Sequence, residues 1–218
     1  MDRRVSAVVD RLLGEGRVVS RKDGSVHELA PVAVGRAEGE ALAEMVLRER
    51  AQRVLEVGLG YAISTLFMCD ALLELGPPAQ LVAVDPQQAT RFSNCGLQAL
   101  EDAGVANLVE LHEEESQILL PRFVEEGREF DFAFVDGDHR FDGVFLDLVY
   151  LGRLVRRGGT VVVDDYQLPA VVRAVSFFVT NLRWSIEETS AIDPDHNWAV
   201  LRTAHEPDDR AWDYFVDF

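Results

Sequence analysis

Residues 130–166 read FDFAFVDGDHRFDGVFLDLVYLGRLVRRGGTVVVDDY, and this stretch decides the fold. Phe132 to Val135 is a short, continuous apolar run, the pattern of a parallel strand buried on both faces, and Thr160 to Val163 is a second, rich in β-branched residues. Between them Val144, Leu148, Leu151 and Val155 recur at helical spacing, and Gly158-Gly159 is expected to stop that helix in the left-handed conformation. The pattern predicts a βαβ unit. A right-handed crossover brings the C-terminal ends of its strands to one sheet edge, so Asp136 is expected to meet Asp164 and Asp165, 28 and 29 positions further on.

Three carboxylates at one edge raise one another's pKa and destabilise the fold unless a cation, a proton or a basic group offsets them. Hard divalent cations such as Mg²⁺ take oxygen ligands of this kind, with waters and substrate oxygens completing the shell. Each aspartate also has a plainer reading. Asp136 closes a turn in Asp-Gly-Asp, and Asp165 starts the turn that leads to Pro169.

The chain of 218 residues is 48% hydrophobic and 27% charged, a balance that suits one globular domain with a full core. No apolar run reaches the roughly 20 residues that span a bilayer, and MDRRVSAVVDRLL is too charged for a signal peptide, so a cytoplasmic protein without a membrane partner is expected. Cys69 and Cys95 are isolated and imply no disulfide framework. A net charge of -17 would repel phosphate backbones, which argues against nucleic acid as a partner. Lys22 is the only lysine, so lysine chemistry is not expected in the body of the domain.

Residues 1–50 read as a helical cover with a break: Val5, Val8, Leu12 and Leu13 form one stripe, Ala41, Leu42, Met45 and Val46 another, and turn chemistry around Lys22-Asp23-Gly24 and Pro31 lies between. His27 in that break is either a substrate contact or a surface or capping residue. Residues 51–203 form the expected core, and the acidic, aromatic tail 204–218 is expected to cover the sheet edge or meet another subunit, which keeps a homodimer open. Arg53 to Val57 is a strand followed by Gly58-Leu59-Gly60 and a helix from Ser64 to Leu75, the general cradle for a nucleotide-like ligand. The third glycine of a pyrophosphate fingerprint is absent, and Glu56 before the turn favours a ligand with positive charge. Leu81 to Val84 leads to Asp85-Pro86, where a carboxylate can accept both hydrogens of a ribose diol or simply form a turn. Asn107 to His112 is the next strand, and the loop Glu113-Glu114-Glu115-Ser116 lies where an adenine would sit, or is a solvated charge run. After a helix from Pro169, Arg183 to Glu188 and Trp198 to Arg202 are expected to pair antiparallel, with His196 of their connecting turn at the surface. The sum is an α/β fold, a doubly wound, mostly parallel sheet of seven strands with a C-terminal antiparallel hairpin.

The stretches LEVGLGYAISTLF, LVAVDP, FDFAFVDGDH and GGTVVVDDY resemble the first motif, the second motif and the fourth and fifth strands of the class I S-adenosylmethionine-dependent methyltransferases, specifically the small bacterial O-methyltransferases. Many of those relatives carry glycine where this chain has Ala62. The resemblance covers about residues 50–203. It implies S-adenosylmethionine as cofactor, held by Glu56, Gly58, Gly60, Ser64, Asp85, Pro86, Glu115, Ser116 and Asp136. In the metal-dependent branch it implies Mg²⁺ on Asp136, Asp164 and Asp165. The catechol enzymes have Asp-Asn and a lysine base where this chain has Asp164-Asp165 and His139. The expected reaction is methylation of a small-molecule hydroxyl, with His139 as proton acceptor and Asp136 beside it. The alternatives are a metal-independent methyltransferase, an NAD-dependent oxidoreductase and a silent cofactor-binding module. An amino-methylating enzyme of nucleic acid would show Asn/Asp-Pro-Pro-aromatic where Val135-Asp136-Gly137-Asp138-His139 stands.

Overall fold

A computed structural model describes residues 1–190 and 197–218, in two compact units, Met1–Glu115 and Ser116–Phe218. The turn expected around His196 lies outside the described residues.

In the first unit, α1 (Arg3–Glu15) begins at Asp2, whose carboxylate accepts the N–H groups of Arg4 and Val5, and ends at left-handed Gly16. It buries Val5, Val8, Val9 and Leu12. The break after it is more ordered than the sequence suggested, because β1 (Arg17–Val19) and β2 (Val26–Glu28) pair antiparallel around the Lys22-Asp23-Gly24 turn. Three-residue strands are too short to show an alternation in sequence. Next come α2 (Arg36–Glu49), β3 (Arg53–Val57), α3 (Ile63–Leu75), β4 (Gln80–Val84), α4 (Cys95–Ala103) and β5 (Val109–His112). β3, β4 and β5 are parallel, with Arg53 opposite Gln80 and Leu81 opposite Val109. The start of β5 is later than expected, since Ala106–Leu108 form a 3-10 turn. α3 is buried nearly all round, as a helix between other layers should be. α2 lies against it through Gly39, where an added Cβ would stand 2.1 Å from the Phe67 ring.

The second unit holds α5 (Ser116–Glu125), β6 (Phe130–Val135), α6 (Phe141–Leu154), β7 (Val155–Val163), α7 (Pro169–Leu182), β8 (Ser185–Thr189) and β9 (Ala199–Arg202). β6 and β7 are parallel, and β9 joins β7 and β8 antiparallel. The seven strands of the sheet run β5-β4-β3 in the first unit and β6-β7-β9-β8 in the second. Its fold class is the one expected, with two local corrections. Gly158-Gly159 does not stop α6, which ends at Leu154 and passes straight into an extended Val155. The pair lies within β7, where Gly158 (φ 64°) sits in a register shift between Phe130 and Phe132, and its carbonyl accepts from Arg202 Nη1 at 3.1 Å. A Cβ there would strike His205. Arg183, read as the start of a strand, instead takes a left-handed conformation (φ 59°) that ends α7.

Every residue of β8 is exposed, whereas β9 is almost wholly buried. The tail is fastened to α7: the Asn181 side chain donates to Val216 O and accepts from Val216 N, at 2.9 and 2.8 Å. Phe218 meets Phe177 edge to face at 5.1 Å. Among the described residues no helix is long and apolar enough to cross a membrane.

Gly39→Val would drive a branched side chain into a ring that is fully buried, so it should lower the unfolding free energy by about 1–3 kcal/mol. Gly14→Ala, on a helix with nothing within 4 Å of the new methyl, should raise it by up to about 1 kcal/mol. Urea titrations of both variants compare the two signs directly.

Candidate active site

The first unit carries the glycine turn. Gly58 (φ 98°), Gly60 (φ 52°) and Ala62 (φ 63°) all have positive φ, so the chain doubles back within five residues after β3. Ala62 adopts this conformation against the preference of a residue with a Cβ, which costs about 1–2 kcal/mol. Two buried acids hold the turn. Asp85 accepts Gly60 N–H at 2.9 Å and Gln88 Nε2 at 2.9 Å on Oδ2, and Gln87 N–H at 2.8 Å on Oδ1. Gln88 also donates to Gly60 O at 2.7 Å. Glu56 is fully buried, and its two oxygens accept the hydroxyls of Ser64 and Thr65 at 2.5 and 2.7 Å.

These bonds change the picture drawn from sequence. A carboxylate has about four lone-pair positions, and three on Asp85 are taken by neighbours, so about one remains for a ribose hydroxyl. Glu56 sits beneath the turn and grips the first turn of α3. Pro86 is exposed at the start of the next loop. Gln88 and Thr65 were missed in the sequence, although Gln88 lies three residues after Asp85 and Thr65 directly follows Ser64. His27 is bonded to Ser25 Oγ at 2.8 Å and faces the Tyr61 ring edge-on at 6.0 Å. Glu115 is exposed at the end of this unit.

In the second unit the βαβ geometry gathers the carboxylates. Val135 pairs with Val163, and Asp164 N–H donates to Val135 O at 3.0 Å, so Asp136 and Asp164 leave neighbouring strands at the same level. Asp165 has φ 55°, a left-handed conformation that aspartate tolerates better than most residues. His139 lies between: Nδ1 is 2.8 Å from Asp165 Oδ2 and Nε2 is 3.3 Å from Asp136 Oδ1. Donor atoms of Asp136, His139 and Asp165 lie within 4.8 Å of one another. Asp164 is buried beside them, and its charge pushes the Asp136 carboxyl up, after the larger effect of burial. The hydrogen bonds to Asp136 and Asp165 push the His139 imidazole up to about 10. His139 is thus a cation at neutral pH, balancing acids that would otherwise repel. Ser116 opens α5 in this unit, next to Asp147.

A methyltransferase-domain family profile matches residues 55–166. Among curated proteins the chain is 30% identical over 138 residues to a catechol O-methyltransferase of Mycobacterium tuberculosis, an alignment that covers 63% of this chain and only 59% of the relative. It is 27% identical over 169 residues to caffeoyl-CoA O-methyltransferase 1 of Nicotiana tabacum, covering 72% and 69% of the two chains. Among solved structures, the O-methyltransferase TomG from Streptomyces achromogenes, in complex with SAM, superposes with a TM-score of 0.70 at 23% identity, covering 94% of this chain and 91% of that one. Cofactor-bound Rv0187 from MTB gives 0.73 at 22%, covering 94% and 92%.

The sign of the pH dependence follows from His139. Its folded-state pKa lies above the unfolded value, so its contribution to stability is complete below about pH 6.5 and is lost as pH rises through about 10. Metal-free protein should therefore melt at a lower temperature at pH 9.5 than at pH 7. His139→Gln should flatten that slope, and ring NMR signals of His139 that titrate near 6.5 would contradict the assignment.

Proposed function

Since the chain belongs to the methyltransferase-domain family and has the class I fold of S-adenosylmethionine-dependent O-methyltransferases, we propose that it methylates a hydroxyl group of a small molecule, with Mg²⁺ or a similar dication held by Asp136, Asp164 and Asp165. The observation that carries this reading is the convergence of Asp136 and Asp165 on His139 at the ends of β6 and β7.

The residues fit both groups. The left-handed glycines keep side chains away from the turn, and the first turn of α3 faces it, an arrangement that lets a ligand approach the backbone. The carboxylate oxygens are hard donors of the type a dication takes. S-adenosylmethionine supplies an electrophilic methyl on sulfur, and a dication supplies Lewis acidity that lowers the pKa of a bound hydroxyl. In the net reaction the bond from methyl to sulfur breaks, the bond from methyl to oxygen forms, and the hydroxyl proton leaves.

The chain's own groups position and move that proton. Asp85, through Gly60 and Gln88, fixes the turn that takes the cofactor, and Glu56 fixes the first turn of α3 through Ser64 and Thr65. Asp136 and Asp165 hold both ring nitrogens of His139 and so set the plane of the imidazole. With its pKa raised well above neutral by the two carboxylates, His139 is mostly protonated at pH 7 and a poor base while it alone balances the acids. A competing positive charge at the carboxylates would return it toward its ordinary value and free it to accept the proton. This supports the metal-dependent reading over the metal-independent one. The second has its own support in Asp136, whose carboxyl burial pushes up toward the range of a neutral-pH base.

Chelation should abolish turnover and Mg²⁺ should restore it. Independently of activity, Mg²⁺ added to metal-free protein at pH 8 should release protons and raise the melting temperature. Turnover that survives exhaustive chelation, with no proton release, would move the assignment to Asp136 as base. Asp85→Ala should weaken S-adenosylmethionine binding by roughly 10- to 100-fold, the scale of a lost charged hydrogen bond. Calorimetry reads this out, and wild-type protein that binds NAD and ignores S-adenosylmethionine would sink the assignment.

A further inference from the structure

A cavity of about 490 Å³ in the second unit has no part in the chemistry described above. It is lined by residues of α6, α7 and the segment after β9, with Phe145, Val149, Phe177 and Trp184 among its walls and the exposed Arg153 and Arg157 on its rim. Its volume lies within the roughly 300–1,000 Å³ of pockets that accept a ligand, and apolar walls with a few polar groups are typical of them. Arg153 and Arg157 have no carboxylate partner among the described residues, in a chain that carries 38 acidic side chains against 21 basic ones.

The tail carries the complementary piece. Trp212 is 96% exposed, and Tyr214, Phe215 and Val216 after it are exposed as well. A run of exposed apolar side chains marks a contact surface. Nor does this stretch trail freely. Asp209 meets Arg183 at 2.8 Å, Tyr214 N–H donates to Ala211 O at 3.0 Å, and Val216 is bonded to the Asn181 side chain. Arg183 and Asn181 both line the cavity, so the turn that bears Trp212 is fastened on both sides to the cavity's own lining. Asp213, next to the tryptophan, is exposed and has no basic partner among the described residues.

We propose that a second copy of this chain fills the cavity: in a two-fold pair, Trp212 of each copy enters the aromatic cavity of the other, and Asp213 meets Arg153 and Arg157 on its rim. Knob and hole belong to one patch of one unit, so a single two-fold axis satisfies both at once and the assembly closes. Two chains of charge -17 repel each other over most of their surface, and an acidic segment docks only where arginine awaits it. Tryptophan and arginine are among the residues that contribute most at such contacts, and a turn already held in place loses little freedom on binding. The inference concerns assembly and is independent of the reaction the chain catalyses.

Sedimentation velocity on the full chain across micromolar concentrations tests this. Wild type should be a dimer that dissociates to monomer on dilution, with no larger species. Trp212→Ala should weaken the dimer by at least about 30-fold, the scale of an interface hot spot, and Trp212→Phe by less. Arg153→Glu with Arg157→Glu should weaken it too, as should Asp213→Arg, and the combination of all three should restore much of the affinity, because the charges are exchanged and not removed. Ile186→Ala, at an exposed apolar residue on β8 outside the contact, should leave the dimer unchanged. The substituted side chains are all exposed, so each variant is expected to fold. Fluorescence gives an independent reading. Trp184 and Trp198 are buried and Trp212 is exposed, so wild-type emission should shift to the blue as the dimer forms, and Trp212→Ala should show no such shift. A wild type that stays monomeric would leave the cavity to a small ligand or another protein and overturn the inference. So would a dimer that Trp212→Ala leaves intact, a mass that keeps growing with concentration as in a head-to-tail chain, or a charge exchange that restores nothing.

Discussion

The second unit is constrained by one requirement, that Asp136, Asp164 and Asp165 be held close without driving apart the strands that carry them. Parallel pairing of β6 and β7 fixes where the strands end, and the rung from Asp164 N–H to Val135 O fixes their level. The left-handed Asp165 carries a carboxylate that meets His139 and accepts from the Gln167 side-chain amide. Mutual repulsion then has to be met by positive charge, and the imidazolium of His139 supplies it from within the chain. The arrangement is self-sufficient as a fold and, for the same reason, responsive to any competing cation.

The first unit solves a different problem. A turn made of Gly58, Leu59 and Gly60 has little side-chain material to hold it, so the shape must come from elsewhere. Asp85 and Glu56 provide it by accepting backbone and hydroxyl donors, and Gln88 ties the same turn from its carbonyl side. Both acids are therefore structural groups first. Close approach at Gly96, where a Cβ would lie 2.7 Å from Gly60 O, shows how tightly α4 is drawn against the turn.

Periodicity made the sheet readable in the sequence. Continuous apolar runs at Phe132–Val135 and Thr160–Val163, separated by a helical repeat, admit few arrangements, and the carboxylates at their ends follow from topology. What stayed hidden depends on bonds that no spacing encodes. Gly158 has the sequence signature of a helix stop, glycine after an apolar stripe, yet it lies in a register shift of β7, where its carbonyl meets Arg202 and a Cβ would strike His205. Glu56 is legible in the sequence as an acid just before the glycine turn, whereas its bonds to the Ser64 and Thr65 hydroxyls are not. The β1–β2 hairpin was too short to betray itself, and its turn alone was legible. The place of His139 after Asp136 marks it in the sequence as a base, while the pull of two carboxylates on its proton arises only from the fold.

The edge strand β8 has a consequence for how the protein behaves in a crowded solution. An edge strand presents unpaired N–H and C=O groups on which a stray chain can extend the sheet. Here that edge reads Ser-Ile-Glu-Glu-Thr, exposed along its length, with a register shift between Ile186 and Glu188. Glu187 is paired with Arg202, but two such edges brought together would still set glutamate against glutamate, and the kinked ladder would not offer a straight template. The edge strand β8 thus works against amyloid-like growth by charge and irregularity, although it contributes almost nothing to the core.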